Sequence, residues 1–191
     1  MINLIAGVDE VGRGPLAGPL VAAAVVFPEG LLIEGIKDSK LLSESRRKVL
    51  SRVIRSRSSA WAIGAATVSE VEKCNVFNAS GLAMRRALQG LSLRPDYVFV
   101  DGTYFPEVGI PGKAIVKADR DVHVVSAASI LAKVARDEFM VSMDSRFPGY
   151  GFGQHKGYPT KAHIMALQRL GPCKIHRRSF GPVKKILGEK P

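Results

Sequence analysis

Four acidic residues lie at the ends of short apolar stretches, and this placement restricts what the chain can fold into. Asp9 and Glu10 follow IAGV, Asp101 follows YVFV, and Asp119 comes shortly after AIV. Such runs are typical of strands, and functional groups in α/β sheets gather beyond the strand ends. We therefore expect these four carboxylates to meet at one edge of a sheet.

Carboxylates that are brought together repel one another and raise their own pKa values unless a cation joins them. The pattern therefore predicts a divalent-metal site, and oxygen ligands suit Mg²⁺ or Mn²⁺. Two such ions, ~4 Å apart, can activate water and stabilise the leaving oxygen in phosphodiester hydrolysis. A single strand-end acid more often caps a loop or a helix, and the metal hypothesis depends on all four acids together.

Strand geometry sets one condition on this site. Side chains alternate between the two faces of a strand, so neighbours such as Asp9 and Glu10 point in opposite directions. Both can serve one site if the chain bends directly after the strand, and we expect residues 11–15 to supply that bend.

The charge of the chain points to a polyanionic partner. Lys and Arg number 28 against 17 Asp and Glu, which gives a net charge of +11 over 191 residues. Nucleic acid is the expected partner, although charge alone also fits an ordinary basic surface.

The length of the chain indicates one domain, and no apolar run reaches the ~20 residues that a membrane span needs. The first residues lack a secretory pattern, so we expect a cytoplasmic protein, monomeric by default.

Hydrophobic periodicity and turn signals predict an α/β fold with a mixed five-stranded sheet flanked by helices. The first two strands, residues 3–8 and 20–27, are expected to be antiparallel. The predicted strands are residues 3–8, 20–27, 61–68, 97–100 and 114–116, and the predicted helices are residues 43–57, 69–73, 79–88, 126–143 and 160–170, with a short one after Pro182.

Three loop motifs are candidates for ligand contact. Glycines at Gly12 and Gly14, on either side of Arg13, permit close approach of the main chain to a ligand, although a plain hairpin turn is the ordinary alternative. The segment QHKGYPT, residues 154–160, combines imidazole, ammonium and an aromatic ring, which suits phosphate contact and stacking. Residues 176–178, HRR, form a second basic cluster that we interpret as contacting a nucleic-acid backbone.

Taken together, the motifs DEVGRGPLAGP, KDSKLL, NVFNAS, VDG, KAD, SAASILAKVARD, HKGYPT and IHRRSFGP closely resemble the type 2 ribonucleases H, the ribonuclease HII family. The match runs in order over residues 7–183. The resemblance implies a ribonuclease H-like domain spanning residues 1–191, with residues from about 145 onward as a C-terminal helical extension that binds substrate. It implies metal-dependent cleavage of the RNA strand in RNA/DNA hybrids and at ribonucleotides embedded in duplex DNA, leaving 5′-phosphate and 3′-hydroxyl ends.

By resemblance, the metal ligands fall on Asp9, Glu10, Asp101 and Asp119. The ribonucleotide and its junction with DNA would be recognised through the GRG turn and a loop tyrosine, and further residues would contact the backbone. These substrate-binding positions are Gly12, Arg13, Gly14 and Tyr158, with Lys40, Asn75, Asn78 and Lys156 as further contacts.

One departure lies at the fourth acid, where many bacterial members have KGD and this chain has KAD. Alanine excludes backbone angles that glycine permits, so the local geometry at Ala118 is in question. Asp119 is preferred over Asp121 as the ligand because its spacing to SAASILAK fits the family.

Two other functions fit part of the pattern. A ribonuclease H-like DNA nuclease or resolvase would explain the acids and the charge but not the pairing of GRG with a tyrosine. A non-catalytic nucleic-acid-binding protein would explain the charge but not the acids, and its affinity would fall steeply with salt.

Overall fold

The computed structural model describes residues 4–36 and 39–188, with the side chain of Lys40 excluded. It contains a five-stranded sheet in the order β3-β2-β1-β4-β5. β1 pairs antiparallel with β2 and parallel with β4, and β4 pairs parallel with β5. The predicted mixed sheet is therefore confirmed. The strands are β1 (Ile5–Val11), β2 (Leu20–Phe27), β3 (Ala60–Ala66), β4 (Tyr97–Asp101) and β5 (Gly112–Ile115).

The longer helices lie close to the predicted positions. Ser43 and Thr160 cap helices as expected, since their hydroxyl oxygens accept hydrogen bonds from the amides of Arg46 and His163, each at 3.2 Å. A 3₁₀ turn covers Ser39–Leu41. The helices are α1 (Glu44–Arg57), α2 (Val68–Gln89), α3 (Ala118–Asp121), α4 (His123–Arg146), α5 (Phe152–His155), α6 (Lys161–Leu170) and α7 (Gly181–Ile186).

Several boundaries differ from those predicted. β1 continues through Val11, because Asp9, Glu10 and Val11 all pair with β2 residues. The two short helices expected between residues 69 and 88 are one segment, α2, broken at Asn75, where φ is 66° and ψ is 169°. α5 is a single turn in a segment that was expected to be a loop, and α3 is a single turn where no element was predicted. α4 begins three residues earlier than predicted.

Backbone contacts divide the chain into two compact units. The first comprises Met1–Val11, Val21–Ala65 and Ser80–Ala135, and it includes nearly all of the sheet. The second comprises Gly12–Leu20, Ala66–Ala79 and Arg136–Pro191, and it includes the C-terminal helices. The helix α4 contributes its first half to one unit and its second half to the other.

The core of the first unit combines small and large apolar residues. Every residue of β2 is buried, and Ala127, Ala128 and Leu131 of α4 belong to the same cluster. Glycine permits the closest approaches in this unit. A Cβ built on Gly64 in β3 would lie 2.1 Å from the carbonyl oxygen of Ala83 and 2.4 Å from the amide nitrogen of Ala87, both in α2. Strand and helix backbones therefore touch at this point.

The core of the second unit surrounds two buried histidines. His163 and His176, with Phe152 and Leu167, are almost fully shielded from solvent. The Nε2 atoms of the histidines lie 3.0 Å apart, and His163 Nδ1 lies 2.9 Å from the carbonyl oxygen of Tyr158. The amide of Cys173 donates to His176 Nδ1 at 2.9 Å, so the proton of His176 is on Nε2 and is donated to His163 Nε2. Both rings are therefore neutral in the folded protein.

No helix within the described part of the chain combines the length and the apolar character needed to cross a lipid bilayer.

Replacing Gly64 with alanine should destabilise the protein by about 2 to 4 kcal/mol, because the added methyl group forces apart two packed backbones. The change is measured by urea unfolding. Gly181→Ala is the matched control, since a Cβ on Gly181 meets no atom within 4 Å. Equal stability of the two variants would contradict the close-packing account.

The histidine pair predicts a loss of stability on acidification. Burial and the neighbouring His163 lower the pKa of His176 from 6.5 to about 4. The unfolded state then binds the proton at higher pH than the folded state. The stabilisation is therefore complete above about pH 6.5, declines as the pH falls and is lost near pH 4. Between pH 7 and pH 5 the free energy of unfolding should fall by on the order of 2 kcal/mol.

The His176→Gln variant tests the source of that loss. Glutamine does not titrate, so this variant should start less stable at pH 7 but lose less on acidification than the parent. Urea unfolding at several pH values measures both slopes. Parallel slopes for the two proteins would show that other groups cause the loss.

Candidate active site

Three of the four predicted acids come together in the first unit. Asp9, Asp101 and Asp119 each present a carboxylate oxygen, and these atoms all lie within 4.8 Å of one another. The sheet explains the approach. Val8 pairs with Val100 in the parallel neighbours β1 and β4, so Asp9 and Asp101 occupy the next position along the two strands. Asp119 enters from α3, shortly after β5.

The environment of Asp9 is unfavourable for a bare carboxylate. Its exposed fraction is 6%, and its pKa is raised well above the ordinary value, first by burial and then by the charges of Glu10 and Asp101. The amide of Glu10 donates a hydrogen bond to Asp9 Oδ1 at 2.7 Å, which offsets part of this cost. A cation among the three oxygens would offset the rest, and a set of hard carboxylate oxygens fits a divalent ion. These residues could therefore hold a metal ion.

Two serines that the sequence analysis did not single out support Asp9. The side chain of Ser129, in α4, hydrogen bonds to Asp9. Ser129 Oγ lies 2.7 Å from Ser39 Oγ, and both serines are buried. Ser39 belongs to KDSKLL and Ser129 to SAASILAK, so the two motifs meet behind the carboxylate. A polar residue in a run of small residues is the sequence signal that could have indicated such a contact.

Glu10 lies beside the cluster and is not one of the three residues that share it. β1 continues past Glu10 to Val11, so the bend expected between residues 11 and 15 begins only where the strand ends. Side chains of neighbouring residues on a strand alternate between its two faces. The charge of Glu10 still raises the pKa of Asp9. Its role as a ligand stays a prediction.

The local geometry at Asp119 resolves the question raised by KAD. The left-handed residue is Lys117, with φ of 63° and ψ of 31°, whereas Ala118 is the first residue of α3 and is fully buried. Alanine is therefore accommodated without strain. Ser126 Oγ donates to the carbonyl oxygen of Asp119 at 2.7 Å and fixes this turn to α4. Asp121 is exposed and lies outside the cluster.

The turn that carries the GRG motif belongs to the second unit. Gly12 is buried with φ of 99°, and a Cβ there would lie 2.5 Å from Arg136 Nε. Only glycine fits such a position without strain. Arg13 and Gly14 form the exposed tip of the turn. In the GRG motif, Gly12 is therefore fixed in the interior, whereas Arg13 and Gly14 are accessible to solvent.

The HKGYPT loop lies in the same unit and is held by its own polar groups. Tyr158 is half-buried, and its amide donates to the carbonyl oxygen of His155 at 2.9 Å. Lys156 ends α5 with φ of 54°, and its ammonium group donates to the carbonyl oxygen of Gly153. These hydrogen bonds fix the backbone of the HKGYPT loop and so the position of Tyr158.

The remaining predicted contacts are placed as follows. Asn75 and Asn78 are exposed. Asn75 Oδ1 accepts hydrogen bonds from the amides of Phe77 at 2.9 Å and of Asn78 at 3.1 Å, so Asn75 caps the second half of α2. The side chain of Lys40 lies outside the described residues.

The basic cluster at residues 176–178 is mostly interior, and its interpretation as a surface contact is wrong for two of its three members. His176 is 2% exposed and Arg177 is 0% exposed, whereas Arg178 is exposed. Arg136 of α4 is also 0% exposed. The sequence analysis predicted a nucleic-acid backbone contact for Arg177 and made no prediction for Arg136. The apolar neighbours Ile175 and Phe180 are the signal that this segment packs inward.

Comparisons with known proteins identify the family of the chain. The family model described as "Ribonuclease HII" matches residues 6–183. A ribonuclease HII from Nitrosococcus oceani is 52% identical over 183 residues, covering 96% of this chain and 91% of the relative. A ribonuclease HII from Laribacter hongkongensis is 52% identical over 189 residues, covering 98% of this chain and 96% of the relative.

A solved structure shows the same fold. The crystal structure of ribonuclease H2 from Pyrococcus horikoshii has a TM-score of 0.79 and 27% sequence identity, covering 96% of each chain. The expected ribonuclease H-like fold is thereby confirmed. With a family match over nearly all its length and relatives at 52% identity, the chain belongs to the ribonuclease HII family and is a ribonuclease H hydrolase.

Proposed function

We propose that this chain is a metal-dependent endonuclease that hydrolyses the RNA strand of RNA/DNA hybrids and cuts at ribonucleotides embedded in duplex DNA. The expected products carry 5′-phosphate and 3′-hydroxyl ends. The observation that carries this proposal is the convergence of three aspartate oxygens within 4.8 Å, in a chain of net charge +11 that belongs to the ribonuclease HII family.

The acids would act through Mg²⁺ or Mn²⁺, with two ions per site. Asp9, Asp101 and Asp119 would hold them, with Glu10 as the fourth ligand. Bound ions of this kind activate water and stabilise the leaving oxygen of a phosphodiester. The protein supplies rigid positioning, since Ser129 and the amide of Glu10 hold the Asp9 carboxylate in place. Carboxylates that are fixed before substrate binds need no rearrangement during the reaction.

Recognition of the ribonucleotide would fall to the GRG turn and Tyr158. Main-chain amides at Arg13 and Gly14 can donate to a sugar hydroxyl, and the phenol ring can stack on a sugar or base. Lys40, Asn75, Asn78 and Lys156 would contact the nucleic-acid backbone, with residues from about 145 to 191 acting as a substrate-binding extension. We place the enzyme in the cytoplasm as a monomer.

A DNA nuclease or resolvase with the same metal chemistry is the alternative. It would use the same aspartates but would have no use for a turn and a tyrosine that read a 2′-hydroxyl. Discrimination between a duplex with one ribonucleotide and an all-DNA duplex therefore separates the two functions.

Cleavage of matched duplexes tests the proposal, with Asp101→Asn as the informative variant. The parent should cut the duplex that contains one ribonucleotide, only with Mg²⁺ or Mn²⁺ present, and leave the all-DNA duplex intact. Asp101→Asn should lose about 10³-fold or more in turnover, because it removes several kcal/mol of metal-dependent stabilisation. Its affinity for substrate should be kept or increased, since a negative charge near phosphates is gone.

Asp121→Asn is the matched control, because Asp121 is exposed and lies outside the acid cluster. It should cleave at the parental rate. Equal cutting of both duplexes by the parent would reject ribonucleotide specificity. An active Asp101→Asn enzyme would reject the assigned metal site.

Metal binding should also be visible as stability. In metal-free protein, the raised pKa of Asp9 means that stability falls as the pH rises from about 4 and Asp9 is forced to ionise. Mn²⁺ at 100 times its dissociation constant should add about 2.7 kcal/mol at pH 7.5. Asp101→Asn should be more stable than the parent without metal and should gain much less from Mn²⁺. Thermal unfolding with EDTA and with Mn²⁺ measures both effects, and Asp121→Asn should behave as the parent does.

A further inference from the structure

Two arginines that the proposed chemistry does not use lie fully buried in the second unit. The exposed fractions of Arg136 and Arg177 are both 0%. Burial lowers the pKa of Arg177 to about 10, with a further contribution from the charge of Arg136, so the two cations are close neighbours. Such an arrangement is costly because each charge has left water and is repelled by the other.

The hydrogen bonds of both guanidinium groups end on main-chain carbonyl oxygens of residues 12–19 and of Lys156. Arg177 Nη2 donates to Gly12 at 2.6 Å and to Gly18 at 2.9 Å, Nη1 donates to Arg13 at 3.1 Å, and Nε donates to Gly18 at 3.0 Å. Arg136 Nε donates to Pro19 at 3.0 Å, Nη2 to Ala17 at 3.0 Å and Nη1 to Lys156 at 2.9 Å.

A space-filling role does not account for these two residues. A neutral side chain of similar volume would fill the interior without the cost of two buried charges. What a guanidinium adds is a planar set of donors that fixes several carbonyl oxygens at once. The two arginines therefore contribute by fixing the backbone conformation of the turn at residues 12–19.

That shape decides where the amides of the GRG motif point. In a trans peptide, the N–H of each residue lies opposite the preceding carbonyl group. Since Arg177 holds the carbonyl oxygens of Gly12 and Arg13, the amides of Arg13 and Gly14 are directed away from it. Both residues form the exposed tip of the turn. Two adjacent donors are thus aimed outward by a buried side chain.

Arg136 connects the same turn to the tyrosine loop. Its Nη1 donates to Lys156, two residues before Tyr158, and its Cζ atom lies 5.7 Å from the centroid of the Tyr158 ring. Its Nε approaches Gly12 so closely that a Cβ there would lie 2.5 Å away. One side chain therefore contacts both candidate elements of ribonucleotide recognition.

We infer that Arg177 and Arg136 are positioning residues for ribonucleotide recognition: Arg177 orients the Arg13 and Gly14 amides, and Arg136 fixes the turn against the Tyr158 loop. The inference rests on the proposed function. Neither arginine is expected to touch the substrate. Their loss should lower discrimination between a ribonucleotide and a deoxyribonucleotide more than it lowers general affinity for duplex.

Arg177→Lys tests the inference, because lysine keeps the charge but replaces the planar set of donors with a single ammonium group. Binding is measured in the Asp101→Asn background, in which cleavage is strongly slowed, on duplexes with and without one ribonucleotide. Arg177→Lys should reduce the ratio of the two affinities by about tenfold, the effect of losing well-oriented hydrogen bonds, while the all-DNA affinity stays unchanged. The Mn²⁺-dependent stabilisation of the singly substituted Arg177→Lys protein should match that of the parent.

Arg57→Lys is the matched control, since it makes the same chemical change at an exposed residue of α1 that is assigned no contact with the substrate. It should leave the affinity ratio as it is. An unchanged ratio in Arg177→Lys, with a clear preference in the Asp101→Asn background, overturns this inference alone. A background protein without any preference for the ribonucleotide overturns the proposed specificity and this inference together.

Amide hydrogen exchange gives a second measurement that does not depend on Arg177→Lys folding. In the Asp101→Asn protein, the amides of Arg13 and Gly14 should exchange at least about tenfold more slowly with the ribonucleotide duplex than with the all-DNA duplex, because a bound acceptor protects them. Equal exchange in the two complexes overturns the inference.

Discussion

Burial of the Asp9 carboxylate beside other acidic side chains is the constraint that the first unit has to satisfy. Asp9, Asp101 and Asp119 lie within reach of a shared ion, and in its absence burial and mutual charge raise the pKa of Asp9. The parallel register of β1 and β4 places Asp9 and Asp101 side by side, and the buried Ser129 hydrogen bonds to Asp9. The buried Asp9 carboxylate lowers the stability of the metal-free protein, and a bound cation would offset that cost.

Much of this arrangement follows from local sequence. Apolar runs that end in aspartate predicted the strands and the edge where their acids meet, and Ser43 and Thr160 marked helix starts through ordinary capping chemistry. The extent of β1 did not follow, because pairing with β2 carries the strand through Asp9 and Glu10. Strand pairing depends on tertiary structure. The change from apolar to acidic residues at Asp9 therefore suggested too early an end for β1.

Burial of charged side chains was the other feature beyond the reach of the sequence. Arginine and histidine next to loops are expected at the surface, and Arg178 is indeed exposed. Arg136, Arg177 and His176 instead lie inside, where carbonyl oxygens or another imidazole satisfy their donors. Which of two adjacent arginines turns inward depends on carbonyl groups that are far away in the chain. Only the folded backbone brings those groups together.

The break in α2 determines which hydrogen-bonding group of the Asn75 side chain remains available to solvent. Its carboxamide oxygen is committed to the amides of Phe77 and Asn78, while the residue itself is exposed. Toward solvent, the side chain therefore offers its NH₂ group, a donor without formal charge. An aspartate at this position would keep the helix cap but present a second acceptor, and an electron-rich surface such as a phosphate would then be repelled where asparagine attracts it.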